Sequence, residues 1–143
     1  MALVNTVDII GDEALASSII DKSVTTIVDN ATKSLGIYSL WKCVNLITAD
    51  FASLTYIGKY ALESCKGLIA LVLRSETMCT IYDRHAAGYS SIATGTGFIY
   101  VPRVLIDSYK TDSNWSTYAA QFRALEDYTV DGTTTGELDP TKI

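Results

Sequence analysis

Apolar positions recur along this chain at a fixed interval of 22 residues. Laid on residues 57–73 without a gap, residues 35–51 give six identities in 17 positions: Gly36/Gly58, Tyr38/Tyr60, Leu40/Leu62, Cys43/Cys65, Leu46/Leu68 and Ile47/Ile69. Ordinary composition yields about one. Leu35/Ile57, Ser39/Ala61 and Phe51/Leu73 are conservative besides. Within each copy the apolar series runs Leu46, Ala49, Phe51 and then Leu68, Leu71, Leu73, and its last two members alternate as in a strand with one buried face. A second apolar pair, Leu54 and Ile57, leads through Gly58 into Tyr60-Ala61-Leu62. Each copy thus predicts a short strand, a turn, and a compact helical or looped return. A single copy cannot bury its apolar edge, so stability has to come from stacking on its neighbours.

One period earlier the pattern weakens: Val24 aligns with Leu46, Ile27 with Ala49, and Thr32 and Leu35 with Leu54 and Ile57, but Asp29 stands in the place of Phe51. Beyond Leu73 the register dissolves. Cys79 falls opposite Ile57, and Tyr82–Ser91 contains no counterpart of the Tyr-x-Leu-x-x-Cys segment. Ahead of the repeats, Gly11–Ala16 reads as a helix start with an acidic first turn. Behind them, Gly95-Thr96-Gly97 reads as the turn before a last strand, Phe98–Val101, which Pro102 stops. Val104–Tyr109 and Trp115–Phe122 read as helices, with Tyr118 and Phe122 four residues apart on one face. A period of 22 falls in the range of leucine-rich repeats. The expected fold is therefore a mixed α/β repeat: a short right-handed leucine-rich-repeat solenoid with a helical N-terminal segment and a helical C-terminal cap. It divides one domain into an N-terminal capping segment (1–22), the solenoid (23–101), the cap (102–127) and a polar tail (128–143). The tail carries an Asp131-Gly132 hairpin signal and otherwise reads as a mobile end or an oligomer contact.

Composition narrows the function classes. The net charge is −5, and the 11 basic residues are scattered singly, unlike the clustered Lys and Arg that a phosphate backbone requires. Nucleic acid is not an expected partner. No apolar run approaches a bilayer span and the N-terminus lacks a secretory pattern, so neither membrane insertion nor a secretory route is expected. Three cysteines without a CxxC pair argue against a disulfide scaffold and against a structural metal. Cys43 and Cys65 read instead as a row of buried thiols behaving as small hydrophobes, with a disulfide between the turns as the geometrically possible alternative.

No catalytic or cofactor set emerges either. His85, the only histidine, lies beside Asp83 but without an accompanying nucleophile motif. Gly95-Thr96-Gly97 lacks a phosphate-binding sequence, and Glu126-Asp127 reads as surface charge. No enzyme, metal or cofactor is expected. Tyr38, Trp41, Tyr56 and Tyr60 are the candidate partner-binding residues: repeated aromatics serve as a platform for a sugar or a protein, or else pack on the outer wall of the repeat.

The Tyr-Ala/Ser-Leu-x-x-Cys-x-x-Leu repeat, followed by Gly95-Thr96-Gly97-Phe98-Ile99-Tyr100-Val101-Pro102 and Asn114-Trp115-Ser116-Thr117-Tyr118, resembles the BspA-like leucine-rich-repeat proteins over about residues 24–127. The terminal block is similar to the cap of members from gut Firmicutes and their phages. The chain differs from the usual pattern in having Leu40 and Leu62 where Phe is common, and in being short. The resemblance implies a non-catalytic module for protein or glycan recognition, on a bacterial surface or a phage particle. The alternative is a structural spacer or assembly domain that forms homo-oligomers through a sheet edge, the cap or the tail.

Overall fold

Successive copies of the 22-residue unit lie side by side, each contributing one strand to each of two parallel sheets. The computed structural model describes the backbone of residues 2–4 and 9–10 and the whole of residues 24–143; the helix start expected at Gly11–Ala16 lies outside them. The first sheet orders β1 (Ala2–Val4), β3 (Thr26–Asp29), β5 (Thr48–Phe51), β7 (Ala70–Leu73), β9 (Phe98–Val101) and β10 (Phe122–Ala124). The second orders β2 (Ile9–Ile10), β4 (Ser34–Leu35), β6 (Tyr56–Ile57) and β8 (Thr80–Ile81). The protein is mixed α/β, with parallel sheets and short helices: α1 (Ser91–Thr94), α2 (Ile106–Thr111) and several 3-10 turns.

The register follows the sequence repeat. Thr26, Thr48 and Ala70 pair in one row and Ile27, Ala49 and Leu71 in the next. Leu46, Leu68, Leu54, Ile57, Phe51 and Leu73 are all buried between the sheets. Asp29, the misfit in this pattern, is buried where Phe51 and Leu73 stand in the following strands. Its carboxylate accepts the amides of Ala31 (2.8 Å) and Thr32 (2.7 Å) and the Thr32 hydroxyl. It closes the turn leaving β3, which is why a charged group is tolerated there.

The return segment is looped, without a helix. The amides of Tyr38, Leu40 and Lys42 donate to the carbonyls of Lys59, Ala61 and Glu63 one turn on, at 3.0, 2.9 and 2.9 Å. Those of Leu62 and Ser64 donate to Ala86 and Gly88 at 2.7 and 2.9 Å. With alternate amides spent on the neighbouring turn, an i to i−4 ladder cannot form. Gly58 is required at the start of this segment, since a Cβ there would sit 2.7 Å from the Leu35 carbonyl oxygen.

Several expectations are corrected. Beyond Leu73, where the sequence register is lost, β8 still pairs with β6 through Ile57 and Ile81, so Ile81, not Cys79, is the structural equivalent of Ile57. The 3-10 turn Arg84–Ala87 takes the place of the Tyr-x-Leu segment, burying Ala86 and Ala87. An inserted stretch that includes α1 obscures the period before β9. Phe98–Val101 is not the last strand, because β10 pairs with it in parallel. Trp115–Gln121 is a 3-10 segment interrupted at Tyr118, and Phe122 opens β10, so Tyr118 and Phe122 do not share a helix face.

The aromatic residues of this segment nevertheless belong to the core. Trp115, Tyr118, Phe122 and Tyr109 are buried, with Tyr109 stacked on Phe122 at 5.2 Å. Their polar tips are satisfied by the turn around β8: Trp115 Nε1 donates to the Cys79 carbonyl (2.7 Å), the Tyr109 hydroxyl accepts from the Cys79 amide (2.7 Å), and the Tyr118 hydroxyl donates to the Arg84 carbonyl. The tail is not a free end. It folds back through Val130 N to Glu137 O (2.8 Å) and Asp139 N to Tyr128 O (2.8 Å). Leu138 and Ile143 then pack, with Tyr128, on Ala70, Val72 and Tyr100 on the outer face of the first sheet. That cover explains why β7 is buried on both faces.

Candidate functional site

The repeated tyrosines occupy backbone positions that ordinarily disfavour them. Tyr38 and Tyr60 both have φ 57°, and Lys42 and Ser64, again 22 residues apart, have φ 57° and 62°. Left-handed backbone costs an L-residue roughly 1–2 kcal/mol. The stacking hydrogen bonds of the return segment hold these residues there, and the side chains are directed out of the core.

The structure brings three of the four candidate residues together. The Tyr38 and Tyr60 rings lie 5.0 Å apart, tilted by 32°, and Trp41 meets Tyr38 edge-on at 5.2 Å. All three are half-buried. Trp41 Nε1 donates to Glu63 Oε1 of the next turn at 3.3 Å. Tyr56 stands apart on β6, in register with Ser34 and Thr80, and makes no ring contact with the others. The array also contains residues that the sequence pattern did not single out. The Lys42 ammonium lies 4.4 Å over the Trp41 ring; the Lys59 ammonium lies 5.2 Å over Tyr60 and 6.0 Å over the exposed Tyr82. Lys59 immediately precedes the repeated Tyr60, a placement visible in the sequence once the tyrosine is known to face outward.

A second concave region lies on the outer face of the first sheet. Thr26, Val28, Thr48, Asp50 and Ala52, with Arg74 and residues 135–138 of the tail, line a groove of about 770 Å³. At its wall Arg74 grips Asp50 through two bonds, Nε to Oδ1 at 2.7 Å and Nη2 to Oδ2 at 2.9 Å. Its Nη1 donates to the carbonyls of Thr134 (2.9 Å) and Gly136 (2.7 Å). These four bonds fasten the tail to the sheet.

The other groups of chemical interest have structural partners. Asp83 accepts the His85 amide at 2.8 Å and faces its ring at 3.3 Å, capping the 3-10 turn. Cys43, Cys65 and Cys79 are buried thiols. Burial pushes the Cys65 thiol far up, the neighbouring Cys43 adds to this, and burial alone does the same at Cys79. Such thiols are poor nucleophiles. Among the described residues no group of His, Cys, Asp and Glu could hold a metal ion, and no helix is long and apolar enough to cross a membrane. Comparison with family models, curated proteins and solved structures finds no match.

Proposed function

We propose that the chain is a short right-handed leucine-rich-repeat solenoid of the BspA-like type. On this reading it is a non-catalytic recognition module, displayed on a bacterial surface or a phage-associated particle, whose protein or glycan partner docks on Tyr38, Trp41 and Tyr60. One observation carries this reading. Large aromatic side chains are kept at left-handed positions, where Gly or Asn would be less strained, and they form a half-exposed array spanning consecutive turns. The core gains little from rings placed outside it, whereas rigid aromatics with polar edges are what recognition surfaces use.

The test is a double variant, Tyr38→Asn with Tyr60→Asn, chosen because Asn tolerates left-handed backbone. Wild type and variant are screened on the same glycan and peptide arrays, with thermal unfolding in parallel. Loss of a hot-spot pair should weaken a genuine ligand by about 2 kcal/mol or more, roughly thirtyfold, while the midpoint of unfolding is kept. Identical binding profiles would refute the assignment. A wild type that binds nothing but self-associates with concentration would replace it with the spacer reading.

A further inference from the structure

A lysine ammonium lies over the aromatic array toward each end, and from this we infer the class of partner: an acidic polypeptide segment docked along Lys42, Trp41, Tyr38, Tyr60 and Lys59. The inference rests on the recognition reading above and narrows it. A sugar ring stacks on an aromatic ring only where a face is open. Here Tyr38 and Tyr60 face one another at 5.0 Å, Lys42 covers Trp41, and Lys59 covers Tyr60. These contacts leave Tyr60 covered on both sides and place an ammonium group toward each end of the array, where a carboxylate finds a counter-charge and a neutral sugar does not.

The charge distribution supports the same partner. The whole chain is at −5, yet residues 31–75 hold five basic residues (Lys33, Lys42, Lys59, Lys66, Arg74) against two acidic ones (Asp50, Glu63), a local +3. Arg74 and Asp50 neutralise each other in their own bridge, and the remaining acidic residue of this stretch, Glu63, accepts from Trp41 Nε1. Among the described residues neither Lys42 nor Lys59 forms an ion pair. A polypeptide is favoured over a sulfated glycan because aliphatic side chains flank the array. Ile37, beside Tyr38, is 44% exposed, and Val44, two residues after Lys42, is 50% exposed. They offer contacts to apolar side chains that a polyanionic sugar lacks.

Lys42 makes a clean test possible. At φ 57° a glycine is less strained than a lysine, so Lys42→Gly removes the charge without a steric cost to the fold. The full chain is titrated against a fluorescent poly(Glu,Tyr) copolymer, with dextran sulfate and neutral dextran as comparators, at about 50 and about 200 mM salt. Lys42→Gly and Lys59→Ala should each weaken poly(Glu,Tyr) binding about threefold, with the higher salt doing likewise, while thermal unfolding of Lys42→Gly occurs no earlier than in wild type. Lys42→Arg should retain binding, and Lys110→Ala, in the cap helix α2, should leave it unchanged. Absence of poly(Glu,Tyr) binding, equal affinity for dextran sulfate, or indifference to both lysine variants would overturn the acidic-peptide assignment. Neutral dextran binding that is lost in the Tyr38→Asn/Tyr60→Asn protein but kept in the lysine variants would overturn it too, while sparing recognition at the array. Poly(Glu,Tyr) binding unaffected by both the tyrosine and the lysine variants would refute both.

Discussion

Replacing Arg74 with methionine should release the C-terminal tail and destabilise the whole domain. Methionine preserves much of the apolar stem but abolishes four hydrogen bonds, two to the Asp50 carboxylate and two to the carbonyls of Thr134 and Gly136. Asp50 is then left beside the tail without its counter-charge, and its side chain is only 9% exposed. Breaking a fully buried pair costs about 3–5 kcal/mol. The groove beside Asp50 admits water to the orphaned groups, so about 2–3 kcal/mol is expected here. The repeat supplies a compensating change, because Asp50 pairs in register with Val28 and Val72. Adding Asp50→Val to Arg74→Met should recover more than half of the loss. Urea unfolding at constant slope, run as a double-mutant cycle, measures the coupling, and hydrogen exchange at the amides of Val130 and Asp139 reports on the tail. A single variant within about 0.5 kcal/mol of wild type, with tail protection unchanged, would show that the bridge does not fasten the tail.

Four further outcomes follow from the core. Leu68→Ala, in the most central row, should cost about 2–5 kcal/mol by chemical denaturation. Ser39→Ala should stabilise by about 0.5–2 kcal/mol, because the Ser39 hydroxyl is buried without a partner and its repeat equivalent is already Ala61; a destabilised variant would reveal a missing acceptor. All three cysteines should resist thiol reagents in the native protein and react on unfolding, so rapid native labelling would contradict a buried row. Stability should also fall at alkaline pH. Burial, helped by Asp83 and opposed by Arg84, pushes the Tyr118 phenol up to about 12, while Tyr109, Cys65 and Cys79 are displaced upward too. The unfolded chain then loses these protons first, so stability is complete below about pH 8.5 and declines through about pH 12; a flat urea midpoint across that window would exclude this linkage.

The repeat was legible because stacking imposes identical geometry on equivalent residues, and geometry of that kind writes itself as identity at fixed spacing. Where an insertion changes the spacing, as between β7 and β9, the pairing persists through backbone hydrogen bonds that no side chain records. Ala86 and Gly88 accept from Leu62 and Ser64 just as Ala61 and Glu63 accept from Leu40 and Lys42, yet of these two acceptor positions only the alanine is repeated. The same reasoning explains β10. Its three residues, Phe122-Arg123-Ala124, carry too little pattern to compete with the preceding apolar segment, and only the open edge of β9 recruits them into a sheet.

The site divides along a similar line. Equal spacing could place Tyr38 and Tyr60 in one row, but not say which way they face, since a buried row and an exposed row have the same period. In the structure the row lies outside the core, with Tyr38, Lys42 and Tyr60 at left-handed backbone positions, and no residue preference would have foretold that conformation. The tail shows the converse. Its Thr- and Asp-rich letters describe the surface it presents to water, while the few groups that anchor it, Tyr128, Leu138 and Ile143, are separated along the chain and meet only against Ala70, Val72 and Tyr100. The apolar outer positions of β7 and β9 already required a cover, because a sheet face bearing alanine, valine and tyrosine is not left to solvent without cost. The outer positions Thr26, Thr48 and Asp50 are polar, and there, with Val28 among them half-exposed, the groove stays open. The tail residues thus cover the outer face at β7 and β9, and the aromatic array lies elsewhere, on the return segments.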